Sequence, residues 1–368
     1  MVNDVNFSNL NKTPVRTKSW LKVNDVTIAD YKAPVIGKFE NVKITANENN
    51  GVIIEKIDKE KVLPFNKKFT YGVSDELISQ GEKDFNQGYI INIARKAKIE
   101  EPIIIEFNMD KDNNTLVDNI IIVCEEQSEA NIIIKYNSLD DSEGYHNGIL
   151  KVFSKDDSKL KLTKINLLNN KTMHLDSNLS DVSYNGSVDF IAAELGGKYS
   201  ITNYHGDLRE DSSASTLNSI YLGAKDKIID INYVMTHRGR RSSSNISTKG
   251  ALKDEAQKIF RGTIDFKRGA TRSTGAEDEY CMILSPRVKS KALPLLLCEE
   301  DDVSGEHAAA SGKIDENKLF YLMARGLDYN EARRVIIEGA FNPIIDKIDD
   351  ENSREEIFKA IKECLDNE

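Results

Sequence analysis

A long series of short β-branched runs, each followed by a polar turn, is the feature that most constrains how this chain can fold. Such runs lie at residues 120–123, 132–134 and 228–231, and similar ones recur roughly every 8 to 15 residues between positions 88 and 300. Residues 159–163 read Lys-Leu-Lys-Leu-Thr, an alternation that turns one face inward and one toward water. Because branched side chains pack well on a pleated surface, the sequence predicts a mainly β core that is almost free of helix.

The length of this β region limits the architectures open to it. Short strands at this spacing suit a sandwich, a barrel or a β-helix, and about two hundred residues are too many for one common sandwich. Stacked coils, in which each coil covers the apolar face of its neighbour, are therefore favoured. No fixed repeat period is visible, so periodicity alone leaves the β-helix as one choice among the three.

The two ends of the chain differ from this core. Asp315 is expected to cap a helix that runs through Arg325, and Gly326 suits the left-handed residue that ends it. Ser353 and Glu356 form the pattern of a capping box at the start of a last helix. We therefore expect three parts: a mixed N-terminal segment, residues 1–87; a β core, residues 88–312; and a helical C-terminal domain, residues 313–368.

Charge and composition exclude several classes of function. The chain has 368 residues and a formal net charge of −10, which argues against nucleic acid binding because phosphates attract a positive surface. Its longest apolar runs are too short to cross a bilayer and its N-terminus lacks a signal peptide, so we expect a cytoplasmic protein without membrane contact. No phosphate-binding glycine loop, metalloprotease motif or nucleophile elbow occurs, so we do not expect an enzyme.

One histidine stands out as a candidate metal ligand. His307 ends a polar run and precedes three alanines, which leave room near the backbone. Neutral imidazole binds iron well, and Glu306 beside it is suited to tune its protonation or add an oxygen ligand. Cys298, nine residues earlier at the end of a predicted strand, offers a soft thiolate. The alternatives are a histidine that only hydrogen-bonds across a coil end and a cysteine buried as a small hydrophobe.

Two other polar groups have simpler explanations. Residues 237–244 read His-Arg-Gly-Arg-Arg-Ser-Ser-Ser, which we interpret as a solvated turn because the glycine pattern is not that of a phosphate loop. Asp207, Glu210 and Asp211 cluster in a turn, and in an exported β-helix such acids would suggest a carbohydrate-active enzyme. Without an export signal, a solvated acidic turn is favoured over that alternative.

Several residue types recur in a fixed order between positions 302 and 326. They are Asp302-Val303, His307, Gly312-Lys313-Ile314-Asp315, Leu319-Phe320-Tyr321 and Arg325-Gly326. This run resembles the signature at the end of the core domain in the SufB/SufD family, the scaffold proteins of the SUF iron–sulfur assembly machinery. The resemblance is dense from residue 230 to residue 341, and Arg16 and Trp20 match a second short segment near the start of family members.

The resemblance implies a fold and a set of partners. Family members have a right-handed β-helix core flanked by helical ends, and they act as scaffolds rather than as enzymes. The implied cargo is iron or an iron–sulfur cluster, held transiently. The implied partners are a SufB-like paralogue, which pairs through core strands, and a SufC-like ABC ATPase, which binds the helical tail and supplies any ATPase activity. A homodimer is the alternative assembly of the isolated chain.

The resemblance also assigns roles to individual residues. His307 matches the position implicated in cluster assembly, and Cys281 lies in the strand where SufB-type members carry a key cysteine. That cysteine position falls at Glu279 here, and Ala308 stands where SufB-type members have a glutamate after the histidine. Both departures favour the SufD branch. The alternative is a SufB-like scaffold that assembles a cluster on a homodimer.

The helical tail is the implied partner surface. The candidate partner-binding residues are Leu319, Phe320, Tyr321, Arg325, Gly326 and Phe341. With their neighbours they offer more apolar surface than a short tail can bury on itself, so part of it is expected to dock another protein as a helix in a groove. Packing of these side chains on the β core is the alternative. A purely structural adaptor is a further candidate function.

Overall fold

The computed structural model describes residues 5–17, 19–29, 31–47, 51–58, 62, 65 and 70–366. Over these residues the chain is a β-solenoid of about eight turns, with a small N-terminal segment and C-terminal helices. Each full turn contributes one strand to each of two sheets. The predicted fold class, a stacked β core with a helical tail, is therefore confirmed.

The strands are, in chain order, β1 Val42–Thr45, β2 Val52–Lys56, β3 Gln87–Ile93, β4 Ile103–Met109, β5 Thr115–Cys124, β6 Glu129–Ser138, β7 Tyr145–Ser154, β8 Lys159–Leu167, β9 Met173–Val182, β10 Ser187–Glu194, β11 Tyr199–Leu208, β12 Ala214–Gly223, β13 Ile228–His237, β14 Ser243–Leu252, β15 Gln257–Phe266, β16 Ser273–Ile283, β17 Lys289–Cys298 and β18 Val303–Lys313. Sheet A contains β1 and the even-numbered strands from β4 to β18. Sheet B contains β2 and the odd-numbered strands from β3 to β17.

Successive coils stack in parallel, and the step along the chain from one coil to the next varies. Tyr199 of β11 lies opposite Met173 of β9. Lys289 of β17 lies opposite Gln257 of β15, which is a longer step. Most strands of these coils keep a similar length while the turns between them change. This variation is why no single period is visible in the sequence.

The two ends of the solenoid differ. At the first end, β1 and β2 run antiparallel to β4 and β3 and cover their edges. At the other end, β17 and β18 pair with the preceding strands of their own sheets, and no described residue pairs with their outer edges. This last coil, formed by β17 and β18, is called the open end below. An uncovered edge strand is a template for pairing with another strand.

The space between the two sheets, called the lumen below, is filled by side chains from alternate positions of each strand. Ile132 and Ile134 of β6 and Ile120 and Ile122 of β5 are fully buried there. The same alternation continues from coil to coil, so one apolar core extends along the axis. Burial of each such side chain stabilises the fold by about 1.5–3 kcal/mol.

The helices are α1 Asp75–Lys83, α2 Glu316–Ala324, α3 Tyr329–Ile345 and α4 Glu351–Asp366, and Ser19–Leu21 forms one 3-10 turn. Helices α3 and α4 lie on the outer face of sheet A. There Phe341 and Ile361 belong to the same buried cluster as Ile165, Ile191 and Ile220 of the sheet. None of the helices described is long and apolar enough to span a bilayer.

The ends of the tail helices agree with the sequence prediction at one position and differ at another. Asp315 caps α2 through its side chain, as predicted, and Gly326 follows the helix with a φ of 104°. The prediction of Ser353 as a helix cap is wrong. The Asp350 carboxylate accepts a hydrogen bond from the Ser353 backbone N–H at 2.7 Å, so the capping residue lies three positions earlier.

The N-terminal segment is anchored on the outer face of sheet B. The Asn11 side-chain amide donates to the backbone oxygen of Thr202 at 3.0 Å and to a carboxylate oxygen of Asp230 at 2.8 Å. Asp230 also pairs with the fully buried guanidinium of Arg261. Trp20, in the segment with the Arg/Trp resemblance, is 73% exposed. The segment is therefore held by these polar contacts and by buried apolar side chains such as Phe7 and Leu10, which cluster with residues of sheet B, rather than by its tryptophan.

Candidate metal centre

His307 lies on β18 at the open end and faces the lumen. The position of Gly305 fixes this orientation, because a side chain there would contact Leu296 of the facing sheet. Since alternate residues of a strand share one face, His307 points the same way as Gly305, and Glu306 points outward. No described residue covers this strand from beyond, so the His307 side chain is exposed.

Glu277 of β16 lies directly opposite His307 in the parallel register. Its side chain is 3% exposed, and neither carboxylate oxygen has a hydrogen-bond partner among the described residues. Burial, together with the neighbouring charges of Glu279 and Asp278, raises the pKa of Glu277 to about 8. Glu277 and His307 therefore offer an oxygen and a nitrogen ligand at one place, a combination that suits divalent iron.

Glu279, two residues further along β16, is in a different state. Lys258 Nζ lies 2.8 Å and the Tyr221 hydroxyl oxygen 2.6 Å from the Glu279 Oε1 atom. The Lys258 ammonium compensates the charge of this carboxylate in the lumen, so the pair is satisfied without a further cation. Of the two lumen-facing glutamates of β16, only Glu277 lacks partners among the described residues.

Cys281, the third lumen-facing residue in this row, is distant from His307. It lies opposite Ser311, four residues beyond His307, which is about 13 Å along a strand. Its side chain is fully buried, and burial raises its pKa, which disfavours the thiolate that binds metals.

Cys298, the other candidate thiol, lies near the opposite corner of the open end. It is exposed, and its Sγ atom lies 2.9 Å from the backbone oxygen of Glu300. The residue of β17 level with His307 is Pro294, because Gly262, its partner on β15, packs against Glu277. Pro294 precedes Cys298 by four residues, again about 13 Å. The four ligand candidates therefore do not converge within one chain.

Glu277 was missed by the sequence analysis. The sequence feature that could have identified Glu277 is its distance from His307 along the chain, because the strand register places it one coil earlier. The step from Glu277 to His307 is longer than that from Met173 to Tyr199 and shorter than that from Gln257 to Lys289. Counting back one coil from His307 leads to the segment that contains Glu277. The variable turns hide which residue of that segment is the partner.

The candidate partner-binding residues of the tail divide into exposed and buried sets. Phe320 is 74% exposed and Tyr321 is 56% exposed, and the Arg325 guanidinium lies 5.1 Å from the centre of the Tyr321 ring. Leu319 is buried, and Phe341 is fully buried against sheet A. Phe341 therefore belongs to the chain's own core, which was the alternative explanation, and does not offer free surface.

The interpretation of residues 237–244 as a solvated turn is wrong for His237, Ser242 and Ser244, which are all buried. His237 is fully buried, and its ring nitrogens lie 2.7 Å from Ser242 Oγ and 2.8 Å from Ser244 Oγ. Burial lowers the pKa of His237 to about 4, so the ring is neutral. Arg240 is exposed, as a solvated turn requires.

The acids considered for a carbohydrate site are paired with arginines. Asp207 accepts a hydrogen bond from Arg238 Nε at 2.7 Å, and Asp211 pairs with Arg240 at 2.6 Å. Glu210 lies 3.6 Å from the guanidinium of Arg209. The expectation of a solvated turn is wrong for Asp207, which is buried on β11. Each of the three carboxylates has its own counter-ion, which differs from the arrangement of two cooperating catalytic acids.

Comparison with known proteins gives a consistent family. The family model described as the SufBD core domain of SUF system FeS cluster assembly matches residues 107–340. The iron-sulfur cluster assembly protein SufD of Bacillus subtilis (strain 168) is 23% identical over 279 residues, which cover 75% of this chain and 64% of that protein. Iron-sulfur cluster assembly SufBD family proteins of Staphylococcus saprophyticus and Staphylococcus epidermidis are each 23% identical, with 85% of this chain and 70% of each relative covered. The chain thus spans about two thirds of the length of these curated relatives.

Proposed function

Because this chain belongs to the SufBD core family of the SUF system for iron–sulfur cluster assembly, we propose that it is a SufD-type scaffold that holds iron or a nascent cluster at the open end of its solenoid. The metal is the cargo of such a scaffold. The observation that carries the proposal is the pair of His307 and Glu277, an exposed imidazole opposite a buried carboxyl group without partners among the described residues.

In this proposal the two groups act as ligands in an ordinary chemical sense. The imidazole of His307 supplies a nitrogen ligand and is accessible from solvent, while Glu277 supplies an oxygen ligand from inside the lumen. Because the raised pKa keeps a proton on Glu277 near neutral pH, metal binding releases that proton. Glu306, on the outward face of β18, is then a less suitable ligand than the sequence suggested.

We propose that thiolate ligands come from beyond the local pair. Cys298 is exposed at the same end of the solenoid, so a thiol of this kind is available to a cluster shared between two subunits. Cys281 is sealed in the lumen and would require the last coil to shift. Both remain candidate ligands in this proposal, with Cys298 the more accessible.

The open end is also the proposed pairing surface for a SufB-like paralogue. Its supporting observation is the asymmetry of the solenoid, whose first end is covered by antiparallel strands and whose last strands have uncovered edges. A second β-solenoid can continue both sheets there by backbone hydrogen bonding. The imidazole of His307 then lies at the boundary between subunits, where a shared cluster needs its ligands.

Helix α2 is the proposed docking element for a SufC-like ABC ATPase. Phe320, Tyr321 and Met323 expose 74%, 56% and 42% of their surface, an apolar patch on a helix that the solenoid leaves open. Such a helix suits a groove on a partner. The chain has no phosphate-binding loop of its own, so any ATP hydrolysis belongs to that partner. A cytoplasmic location remains a prediction.

Anaerobic titration with Fe²⁺ against a chromophoric chelator tests the metal site. We expect His307→Ala and Glu277→Gln each to weaken Fe²⁺ binding by about tenfold or more, since each removes one ligand. Ser304→Ala, on the outward face of the same strand, is the matched control and should bind as the wild type does. Unchanged affinity in His307→Ala would reject the site. A stoichiometric cluster on the isolated chain, lost in Cys281→Ser or Cys298→Ser, would instead favour the SufB-like homodimeric scaffold.

A further inference from the structure

A second group of polar side chains lies inside the lumen, several coils away from the open end. It contains His174 and Asp176 of β9 in sheet B and Glu194 of β10 in sheet A. These three side chains are at most 3% exposed. One ligand atom from each lies within 4.8 Å of the other two. Three such groups facing one another in the buried lumen call for a physical explanation.

His174 has a nitrogen with no hydrogen-bond partner among the described residues. Its Nδ1 atom lies 2.7 Å from Nδ1 of His146, and the Nε2 atom of His146 lies 2.6 Å from Asp118 Oδ1. When His146 donates to the Asp118 carboxylate, its Nδ1 must accept, so His174 donates from Nδ1. The Nε2 atom of His174 then carries a free lone pair, and no described residue donates to it.

This lone pair faces the Glu194 carboxylate at a distance that leaves room for one metal ion between the two ligand atoms. His174 Nε2 lies 3.6 Å from Glu194 Oε2, which is too long for a direct hydrogen bond. Two ligands that share an ion at bond lengths of about 2.0–2.2 Å, with a near-tetrahedral angle, lie roughly 3.3–3.6 Å apart. The observed separation fits that geometry. In the tautomer with the His174 proton on Nδ1, two electron-rich atoms face each other in a dry interior unless a cation lies between them.

The carboxylates of the group are also held in place from behind. Glu194 Oε2 accepts hydrogen bonds from Ser200 Oγ at 2.8 Å and from Asn166 Nδ2 at 3.1 Å. Asp176 accepts from Lys164 Nζ at 2.6 Å and from Asn178 Nδ2 at 3.0 Å, one donor on each oxygen. Orienting partners of this kind, including a histidine held by a second polar group, surround metal ligands in proteins.

The charge of the region leaves room for a cation. Asp176 and Glu194 belong to the group and Asp118 lies beside it; burial raises the pKa of Asp118 to about 7, so Asp176 and Glu194 carry most of the negative charge near neutral pH. The ammonium of Lys164 contacts one of them, and that of Lys227 acts on Glu194 without a direct contact. Buried carboxylates without full compensation are costly, and a bound divalent ion is one way to stabilise them.

We propose that His174, Asp176 and Glu194 form a buried site for one divalent first-row transition-metal ion, Zn²⁺ or Fe²⁺, that joins the two sheets across the lumen. One imidazole and two carboxylates favour such ions over Ca²⁺ or Mg²⁺, which prefer oxygen ligands alone. The site is separate from the open end, and its closed surroundings suit a structural ion taken up during folding. It is independent of the cargo site proposed above.

Metal analysis of the full chain tests this site. The chain carrying His307→Ala, which removes the proposed cargo ligand, is purified and passed through a desalting column. We expect about one equivalent of zinc or iron, lowered roughly tenfold or more by adding His174→Gln or Glu194→Gln. His237→Gln is the matched control, because His237 is an equally buried lumen histidine whose nitrogens both have serine partners. If the His174→Gln variant kept the full equivalent of metal, the proposal would be overturned.

A second measurement covers the case in which the variants do not fold. The chain with His307→Ala is unfolded, stripped with a chelator and refolded with Co²⁺ under anaerobic conditions. We expect one equivalent of Co²⁺ with the intense visible absorption of a four-coordinate site and a higher unfolding temperature than without metal. Refolding to the native circular dichroism spectrum without bound Co²⁺ would overturn the proposal.

Discussion

Glu277 and His307 lie opposite each other on neighbouring strands, the carboxyl group sealed inside the lumen and the imidazole open to solvent. The strand that carries His307 is the last of its sheet, and this single fact produces the difference in exposure. A buried carboxyl group without a partner is unfavourable in its charged form, whereas the same group bound to a cation is not. The pair is therefore suited to accept a metal ion from outside.

Replacement of Glu277 by glutamine is expected to alter how the stability of the metal-free chain depends on pH. The pKa of this carboxyl is about 8 in the folded protein, above its ordinary value of 4.5. At pH values below 4.5 both states hold the proton, and as the pH rises toward 8 only the unfolded state releases it. The wild type therefore loses up to about 5 kcal/mol over this interval, and Glu277→Gln lacks that loss.

Urea unfolding followed by circular dichroism at several pH values between about 5 and 8 measures this difference. Glu306→Gln is the matched control, because Glu306 is exposed on the same edge of the solenoid, and its curve should follow the wild type. Parallel pH dependence in the wild type and in Glu277→Gln would show that the carboxyl group is not held neutral by burial.

Burial of His237 is expected to lower the stability of the chain as the pH falls, the opposite of the effect of Glu277. Its pKa is about 4 in the folded protein, below the ordinary 6.5. Above pH 6.5 the His237 ring is neutral in both the folded and the unfolded state. As the pH falls toward 4, the ring binds a proton in the unfolded state but not in the folded state. The wild type should lose about 1–3 kcal/mol over that interval. In the same unfolding series, the free energy of unfolding should fall less steeply toward low pH in His237→Gln than in the wild type. His307→Gln, which lacks an exposed imidazole, should follow the wild type. Equal slopes in the wild type and both variants would contradict this.

The β core could be predicted from sequence because its signals are local. β-Branched residues mark the run at 120–123 as a strand, and alternation with lysine marks Leu160 and Leu162 as one face of another. The number of coils could not be predicted, because turns of different length make the step from one coil to the next change along the chain. Alternation with lysine identifies Leu160 and Leu162 as the buried face, whereas the continuous apolar run at 120–123 does not say which face lines the lumen.

The same limit applies to the candidate site. His307 was identified from its residue type and the surrounding motif, but its orientation follows from the contact between Gly305 and Leu296, which lie in different sheets. Its relationship to Glu277 requires the register of two strands that are one full coil apart in the chain. His237 was assigned to a turn because glycine and arginines follow it, although it is the last residue of a strand and faces inward.

Replacing two phenylalanines of the tail should distinguish side chains that pack on the solenoid from side chains that bind a partner. Phe341→Ala removes a fully buried ring from the interface between α3 and sheet A and is expected to destabilise the chain by about 3–5 kcal/mol. Phe320→Ala removes a ring that is 74% exposed and should change stability by less than about 0.5 kcal/mol. Thermal unfolding measures both, and co-purification with the SufC-like ATPase measures docking. Loss of the ATPase in Phe320→Ala at unchanged stability is the expected result, and retention of it would remove α2 as the docking element.

The open end offers a matched test of strand pairing. Ala309 shares the lumen-facing side of β18 with His307, and Ala310 faces outward on the same strand, both exposed in the single chain. If a second solenoid continues the sheets, a lysine at 309 becomes buried in the lumen, where the carboxylate opposite it, Glu279, already pairs with Lys258. A lysine at 310 stays in water. Ala309→Lys should therefore weaken pairing by at least about 30-fold, and Ala310→Lys should have little effect.

Light scattering after size-exclusion chromatography, for the isolated chain and for its mixture with a SufB-like paralogue, measures this effect. Circular dichroism establishes that both lysine variants are folded, which is expected because each side chain is exposed in the single chain. Equal pairing by the two variants would mean that the lumen side of β18 is not covered in the complex. The uncovered edges of β17 and β18 would then need another explanation, since a solenoid that ends in open strands is prone to uncontrolled association.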